Sequence, residues 1–142
     1  MAKSDSLTYS EFIKIHDELL EISDTWADLW MVLFLIHSQC SRIIKIRYSD
    51  IREDRLHLPG TQRFLPKKML INSRVKYILK RRKESNPDDI YVFQSRSNRV
   101  KFKVKPVTAI AMNMAIKKAA SSVTDKNVSM KSALNVTIEN KK

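Results

Sequence analysis

Apolar positions recur at helical spacing over the first third of the chain. Phe12, Ile15, Leu19 and Ile22 stand three or four residues apart, the spacing that puts side chains on one face of an α-helix. Thr8-Tyr9-Ser10-Glu11 leads into this stripe with capping-box spacing, in which the Thr8 hydroxyl accepts from an amide near Glu11. Ser23-Asp24-Thr25 caps a second helix, from about Trp26 to Ile36 or His37. That helix is apolar over most of its surface and belongs in the centre of a core. Ser41-Arg42-Ile43-Ile44-Lys45-Ile46 predicts a short third helix with Ile43 and Ile44 inward and Ile46 as a further candidate.

The period then changes. Arg55-Leu56-His57-Leu58 alternates, Pro59-Gly60 marks a turn, and Met69-Leu70-Ile71 is a second short apolar run, which together predict a small antiparallel sheet. Either Asn72 or Ser73 starts a helix that carries Val75, Ile78 and Leu79 and ends in Lys80-Arg81-Arg82-Lys83. Cations in a last turn complement the helix dipole, so this run is either a solvated helix end or a phosphate-binding patch. Asn86-Pro87-Asp88-Asp89 reads as a loop with Asx-type turns rather than a metal site. Ile90-Tyr91-Val92-Phe93 predicts an extended, buried segment, and residues 95–105 a loop dense in cations. Thr108 starts a helix that runs to about Ser121 with Ile110, Met114 and Ala115 inward, and the chain from Val123 on is polar and weakly patterned. The fold class is therefore mainly α with a small antiparallel β-sheet (α+β), in a single domain over residues 1–142.

Composition narrows the function classes. The 142 residues are 43% apolar, enough for a real core, and the one cysteine forbids an internal disulfide framework or a Cys-based zinc site. Cys40 reads as a buried structural thiol, and His16, His37 and His57 lie too far apart in sequence for ligand spacing, so neither a metal nor another cofactor is expected. The longest apolar run, Trp30–Ile36, falls far short of the roughly 20 residues that span a bilayer, and the first residues lead into no apolar signal region. The expectation is a cytoplasmic protein with no membrane and no small-molecule substrate.

Charge supplies the partner class. Lys and Arg number 27 against 15 Asp and Glu, a net of +12. Residues 1–41 carry 2 basic and 7 acidic side chains (−5), residues 42–105 carry 19 and 6 (+13), and residues 106–142 carry 6 and 2 (+4). A polyanion, with double-stranded DNA as the default, is expected to meet the middle and end of the chain rather than its first helices. In the loop after Phe93, Arg99, Lys101, Lys103 and Lys105 alternate with Val100, Phe102 and Val104, so an extended strip lines its cations along one face.

Several strings now resemble the catalytic domain of the tyrosine recombinases, the phage-integrase family. The strongest runs from Leu33 to Ile51, where the family has an apolar helix, a "TGxRxSE" turn and "LLxLRWSDI". Ser41, Ile43, Ile44, Arg47, Tyr48 (for Trp), Ser49, Asp50 and Ile51 match it. Leu7-Thr8-Tyr9-Ser10-Glu11 resembles the start of the family's first catalytic-domain helix, and Tyr91-Val92-Phe93-Gln94-Ser95 its "lF.S" segment. Lys105-Pro106-Val107-Thr108 and the helix after it resemble the helix laid in the major groove, and Val128–Asn135 resembles the "HSAR" box.

The family cleaves a phosphodiester with a tyrosine while arginines, a lysine and a His or Lys polarise the phosphate, which is charge stabilisation of a transferring phosphoryl group. On this alignment the first arginine falls on Gln39, the box histidine on Lys131 and the box arginine on Leu134. Arg42 stands where the family has an acidic residue. The hairpin lysine has no single counterpart; Arg63, Lys67 and Lys68 are the cations nearest to it. The nucleophile is expected beyond the last box, and Tyr9, Tyr48, Tyr77 and Tyr91 all lie upstream. The resemblance thus implies a domain without the family's N-terminal DNA-clamping domain and C-terminal nucleophile segment, no enzyme activity of its own, and a place in the bacterial cytoplasm or nucleoid. It implies DNA contacts at Arg42, Arg63, Lys67, Lys68, Arg96, Arg99, Lys101, Lys103, Thr108, Asn113 and Lys117. The leading expectation is an inactive, integrase-like DNA-binding factor of a phage or plasmid. Family members exchange C-terminal segments between subunits, so the alternatives are a module that pairs with an active recombinase or with itself, or a decayed integrase remnant.

Overall fold

Thr8 fixes the start of the first helix. Its hydroxyl accepts the Glu11 amide at 3.1 Å while Glu11 Oε1 accepts the Thr8 amide at 2.9 Å, the reciprocal pair of a capping box. The structure, a computed structural model, describes residues 5–95 and 104–138. In chain order the elements are β1 (Leu7–Thr8), α1 (Tyr9–Ile22), α2 (Asp24–Ile36), α3 (Cys40–Ile44), β2 (Ile51–Arg52), β3 (Arg55–Leu58), β4 (Lys67–Leu70), α4 (Ser73–Ser85), α5 (Ala109–Ala120) and β5 (Val136–Thr137). Short 3₁₀ turns cover Tyr48–Asp50 and Met130–Leu134. The chain divides into two compact units, Met1–Cys40 with Thr108–Lys142, and Ser41–Val107. No helix among the described residues is long and apolar enough to cross a membrane.

The first unit is built on the two helices expected at its start. Phe12, Ile15 and Leu19 are fully buried, whereas Ile22 is 40% exposed because the helix ends there and the chain turns at once through Ser23 into α2. Phe12 lies parallel to Trp30 (5.1 Å between centroids) and against Phe34 (4.6 Å), and the Trp30 indole donates to the Phe12 carbonyl at 3.0 Å. α5 starts at Thr108 as predicted, yet its inward face is Met112, Ala115, Ile116, Ala119 and Ala120. Ile110 and Met114, expected inside, are 76% and 67% exposed. Apolar residues surround this helix, so periodicity allowed more than one inward face; the alanine-rich one lets α5 approach α1 closely.

The polar C-terminal stretch is more ordered than its pattern suggests. Val128, Met130, Ser132 and Ala133 are buried, the last three in a 3₁₀ turn whose period of three escapes a search for helical or strand spacing. β5 pairs in parallel with β1, Leu7 opposite Val136. Asp5 and Asn127 exchange backbone and side-chain hydrogen bonds at 2.8 and 2.7 Å. Lys126 donates to Glu11 Oε1 at 2.7 Å and to the Ser6 carbonyl at 3.1 Å.

The Lys126 ammonium, helped by the Thr8 amide, lowers the Glu11 carboxyl from 4.5 to about 2. A depressed carboxyl stabilises the fold above its unfolded value and ceases to do so as pH falls toward the folded one. Stability is therefore expected to drop between about pH 4.5 and 2, by on the order of 1 kcal/mol for a pair still partly in water. Urea unfolding at several pH values measures this, and Lys126→Met should flatten that part of the profile.

The second unit carries the predicted sheet, with strand order β2-β3-β4, all antiparallel. Leu56 pairs with Met69 and Leu58 with Lys67. Asn72, one of the two expected caps, accepts the Val75 amide at 2.9 Å, and Val75, Ile78 and Leu79 face inward from α4. The segment Ile90–Phe93 is not a continuous strand. Val92 and Phe93 are fully buried, but Ile90 is half exposed, and isolated bridges at Arg47↔Tyr91 and Gln94↔Pro106 bracket a turn. Gln94 Oε1 accepts the amides of Ile90 and Tyr91 at 3.0 and 3.3 Å, which removes them from any ladder.

Candidate nucleic-acid interface

The excess charge belongs to one unit. Ser41–Val107 holds 19 basic and 6 acidic residues, and the remainder of the chain holds 8 and 9. Within this unit the β3–β4 hairpin and its connecting loop, residues 59–66, present one group of these cations. A cavity of about 530 Å³ lies on one side, lined by Arg42, Lys45, Asp50, Gln62, Arg63 and Phe64 among others. A second of about 350 Å³, lined by Asp50, Arg52, His57, Lys67 and Lys68, shares Asp50, Leu58 and Pro59 with the first. The one acid in both, Asp50, accepts the Arg47 amide at 3.0 Å as part of its 3₁₀ turn. What remains is a strip in which Lys45, Arg63, Arg52, Lys67 and Lys68 surround a hairpin, a geometry suited to successive phosphates.

Arg42 has acceptors within its own unit. Its Nη2 donates to the carbonyls of Leu58, Pro59 and Leu65 at 3.4, 3.2 and 3.1 Å, and its guanidinium lies 5.1 Å from the centre of the Phe64 ring. Arg63 approaches the same ring at 5.6 Å, so Phe64 is held by two guanidiniums. Thr61 Oγ1 accepts the amides of Arg63 and Phe64 and closes the turn. Gly60, the one glycine, is packed against Pro66; a Cβ there would stand 2.9 Å from the proline ring. Arg42→Met keeps the apolar stem and deletes these donors. Loss of about 1.5 kcal/mol of loop stabilisation should raise the rate of tryptic cleavage after Arg63 roughly tenfold, followed by mass spectrometry.

The other expected contacts divide. Arg63, Lys67 and Lys68 are exposed on the hairpin, and Lys117 is exposed on α5. Thr108 is committed as the cap of α5, its hydroxyl accepting the Ala111 amide at 3.1 Å. Asn113 Oδ1 accepts the Met130 amide at 2.9 Å, so this side chain ties α5 to the 3₁₀ turn of its own unit. Arg96, Arg99, Lys101 and Lys103 lie outside the described residues. Lys45 and Arg52 were not singled out in the sequence; Lys45 follows the five-residue α3 and Arg52 lies in the two-residue β2, elements too brief to leave a periodic signal.

The three positions aligned with catalytic residues all fall in the first unit. Gln39 follows α2, exposed, with its Oε1 accepting from Ser38 at 3.1 Å. Lys131 is exposed on the 3₁₀ turn and Leu134 is half-buried there. Burial pushes the Cys40 thiol up, and the Lys131 charge opposes that shift, so Lys131 lies within electrostatic reach of the residue next to Gln39. Among the described residues no group of three or more His, Cys, Asp and Glu is placed to hold a metal ion.

No protein-family model and no curated protein matches the sequence. Solved structures do match. A lambda integrase(75-356) dimer bound to a COC′ core site superposes with a TM-score of 0.75 at 14% identity, over 95% of this chain and 50% of that one. A lambda integrase tetramer bound to a Holliday junction gives 0.73 at 13% identity over 95% and 41%. The XerH site-specific recombinase bound to difH substrate, in a pre-cleavage complex, gives 0.63 at 13% over 94% and 42%. The chain spans half or less of the length of these structures. Helices, hairpin and order of elements together therefore give this chain a tyrosine-recombinase-like fold of the α+β class, shared with lambda integrase and XerH.

Proposed function

We propose that the chain binds double-stranded DNA through the cationic hairpin of its second unit and does not itself cleave the strand. The observation that supports binding is the strip of Lys45, Arg63, Arg52, Lys67 and Lys68 around β3–β4, in a unit of net charge +13. The three structural neighbours named above, bound to a COC′ core site, a Holliday junction and a difH substrate, favour the same polyanion. Support for the lack of cleavage comes from Gln39 and Leu134 standing at the aligned arginine positions. A neutral amide and an alkyl group offer a transferring phosphate no charged fork. The role that fits is an accessory or regulatory DNA-binding factor of a mobile element.

Duplex affinity measured across a salt series tests the binding. Backbone contacts predict log K falling linearly with log salt at about 0.9 per phosphate neutralised. No binding to any duplex at low salt overturns the proposal. A nicked suicide substrate that traps covalent protein–DNA adduct tests the second half; adduct formed by this chain alone overturns it.

A second reading rests on α5. Ile110 and Met114, one turn apart and both exposed, give that helix an apolar outer face suited to self-association or to an active recombinase. Light scattering after size exclusion, with Met114→Lys beside the wild type, separates this from DNA binding.

A further inference from the structure

The basic run Lys80–Lys83 at the end of α4 is divided by the fold. Arg82 is only 5% exposed; its Nε donates to the Val92 carbonyl at 2.9 Å and its guanidinium lies 5.3 Å from the Phe93 ring centre. Lys83 donates to the Pro87 and Asp89 carbonyls at 2.7 and 3.4 Å and sits 4.8 Å from the centre of the Tyr48 ring. These two cations hold the loop after the helix. The outer face of α4 is a different surface. Tyr77 is 66% exposed, and Arg81 covers its ring at 5.9 Å. Lys80 is exposed on one flank of Tyr77, and Arg74 on the other, while Lys76 is paired with Asp54 at 2.6 Å. Glu84 is the one acid on the helix.

An exposed tyrosine with a guanidinium on its ring and cations to either side is more than a solvated helix face. The core needs neither the ring, which it leaves outside, nor Lys80. Arg81 already lies against the ring, so a flat group that stacks beside it gains both π contact and charge. The phosphates that flank such a group would lie over Lys80 and Arg74. A duplex keeps its base faces stacked inside, whereas a single strand exposes them. We infer that the outer face of α4 is a second nucleic-acid site, one that takes single-stranded DNA by stacking a base against Tyr77 and neutralising its phosphates with Lys80 and Arg74. An acidic polypeptide would satisfy the cations but has no use for an exposed ring of this setting.

The test uses the full chain, a fluorescent oligothymidylate and a duplex of equal length, with affinities read by anisotropy. Tyr77→Ala should weaken the single strand about tenfold, leave the duplex within about twofold, and leave the salt slope unchanged, since stacking releases no counterions. Tyr77→Phe should bind as the wild type does. Lys80→Gln with Arg74→Gln should weaken the single strand and lower its salt slope by up to about 1.4, at about 0.7 for each phosphate no longer neutralised. Equal single-strand affinity for wild type and Tyr77→Ala overturns the inference. So does polyglutamate that competes at the same concentration against either protein, which would assign the face to acidic polypeptides. Neutralising the hairpin residues Lys67 and Lys68 affects the duplex instead, so this site and the hairpin site fail separately.

Discussion

Phe12→Ala is expected to lower the unfolding free energy by about 3–5 kcal/mol, the range for deleting a fully buried aromatic. The ring has no exposed surface and is enclosed by Trp30 on one side and Phe34 on another, with Tyr9 beside them. Neither large ring can follow the truncated side chain inward. Phe34 is fixed on α2 and packs on Tyr9 at 5.9 Å, and the Trp30 indole is tethered by its bond to the Phe12 carbonyl, which the substitution retains. The cavity therefore stays open, and the cost includes a void as well as lost transfer energy. A fall in melting temperature of roughly 10–20 °C is expected at this chain length. Thermal unfolding by circular dichroism measures it, and Ile15→Val, a smaller deletion on the same helix, should cost only about 1 kcal/mol. A loss below about 1 kcal/mol for Phe12→Ala would show that α1 and α2 are not the centre of this unit.

That centre was legible in the sequence because two signals agreed. The Phe12, Ile15, Leu19 stripe and the Thr8–Glu11 capping box each specify the same helix, and Trp30 lies in the one long apolar run. The sheet was legible for a similar reason: Arg55–Leu58 alternates and Pro59-Gly60 stops it. Where one signal stood alone it misled. Ile110 and Met114 fit the helical period of α5 as well as Met112 and Ile116 do, and only the close approach of Ala115 and Ala119 decides between the two faces. The same holds for charge. Composition located the excess correctly in the middle of the chain, yet it could not tell Arg42 and Arg82, which donate to carbonyls of their own unit, from Lys67 and Lys68, which are exposed on the hairpin. A guanidinium that anchors a loop and one that meets a phosphate are the same letter until the acceptors around them are known.

This distinction predicts the largest effect on binding. Replacing Arg63, Lys67 and Lys68 together by glutamine should cut duplex affinity by about 10²–10³-fold at about 0.1 M salt. Each phosphate neutralised contributes about 0.9 log units per decade of salt, so three of them account for about 2.7 of the slope and, one decade below 1 M, about 2.7 of log K. The hairpin itself should survive. None of the three side chains is buried, Gly60 still packs on Pro66, and Arg42 still binds the Leu58, Pro59 and Leu65 carbonyls from below. Glutamine is shorter but stays polar, flexible and neutral, so on an exposed hairpin a loss of affinity with a reduced salt slope reports charge. The control runs the other way: Lys14→Gln, in the acidic N-terminal stretch, should change affinity less than about twofold at the same salt. Retained affinity in the triple variant would remove the hairpin from the interface. Lower affinity with an unchanged salt slope would mean that the three residues shape the loop rather than meet phosphates.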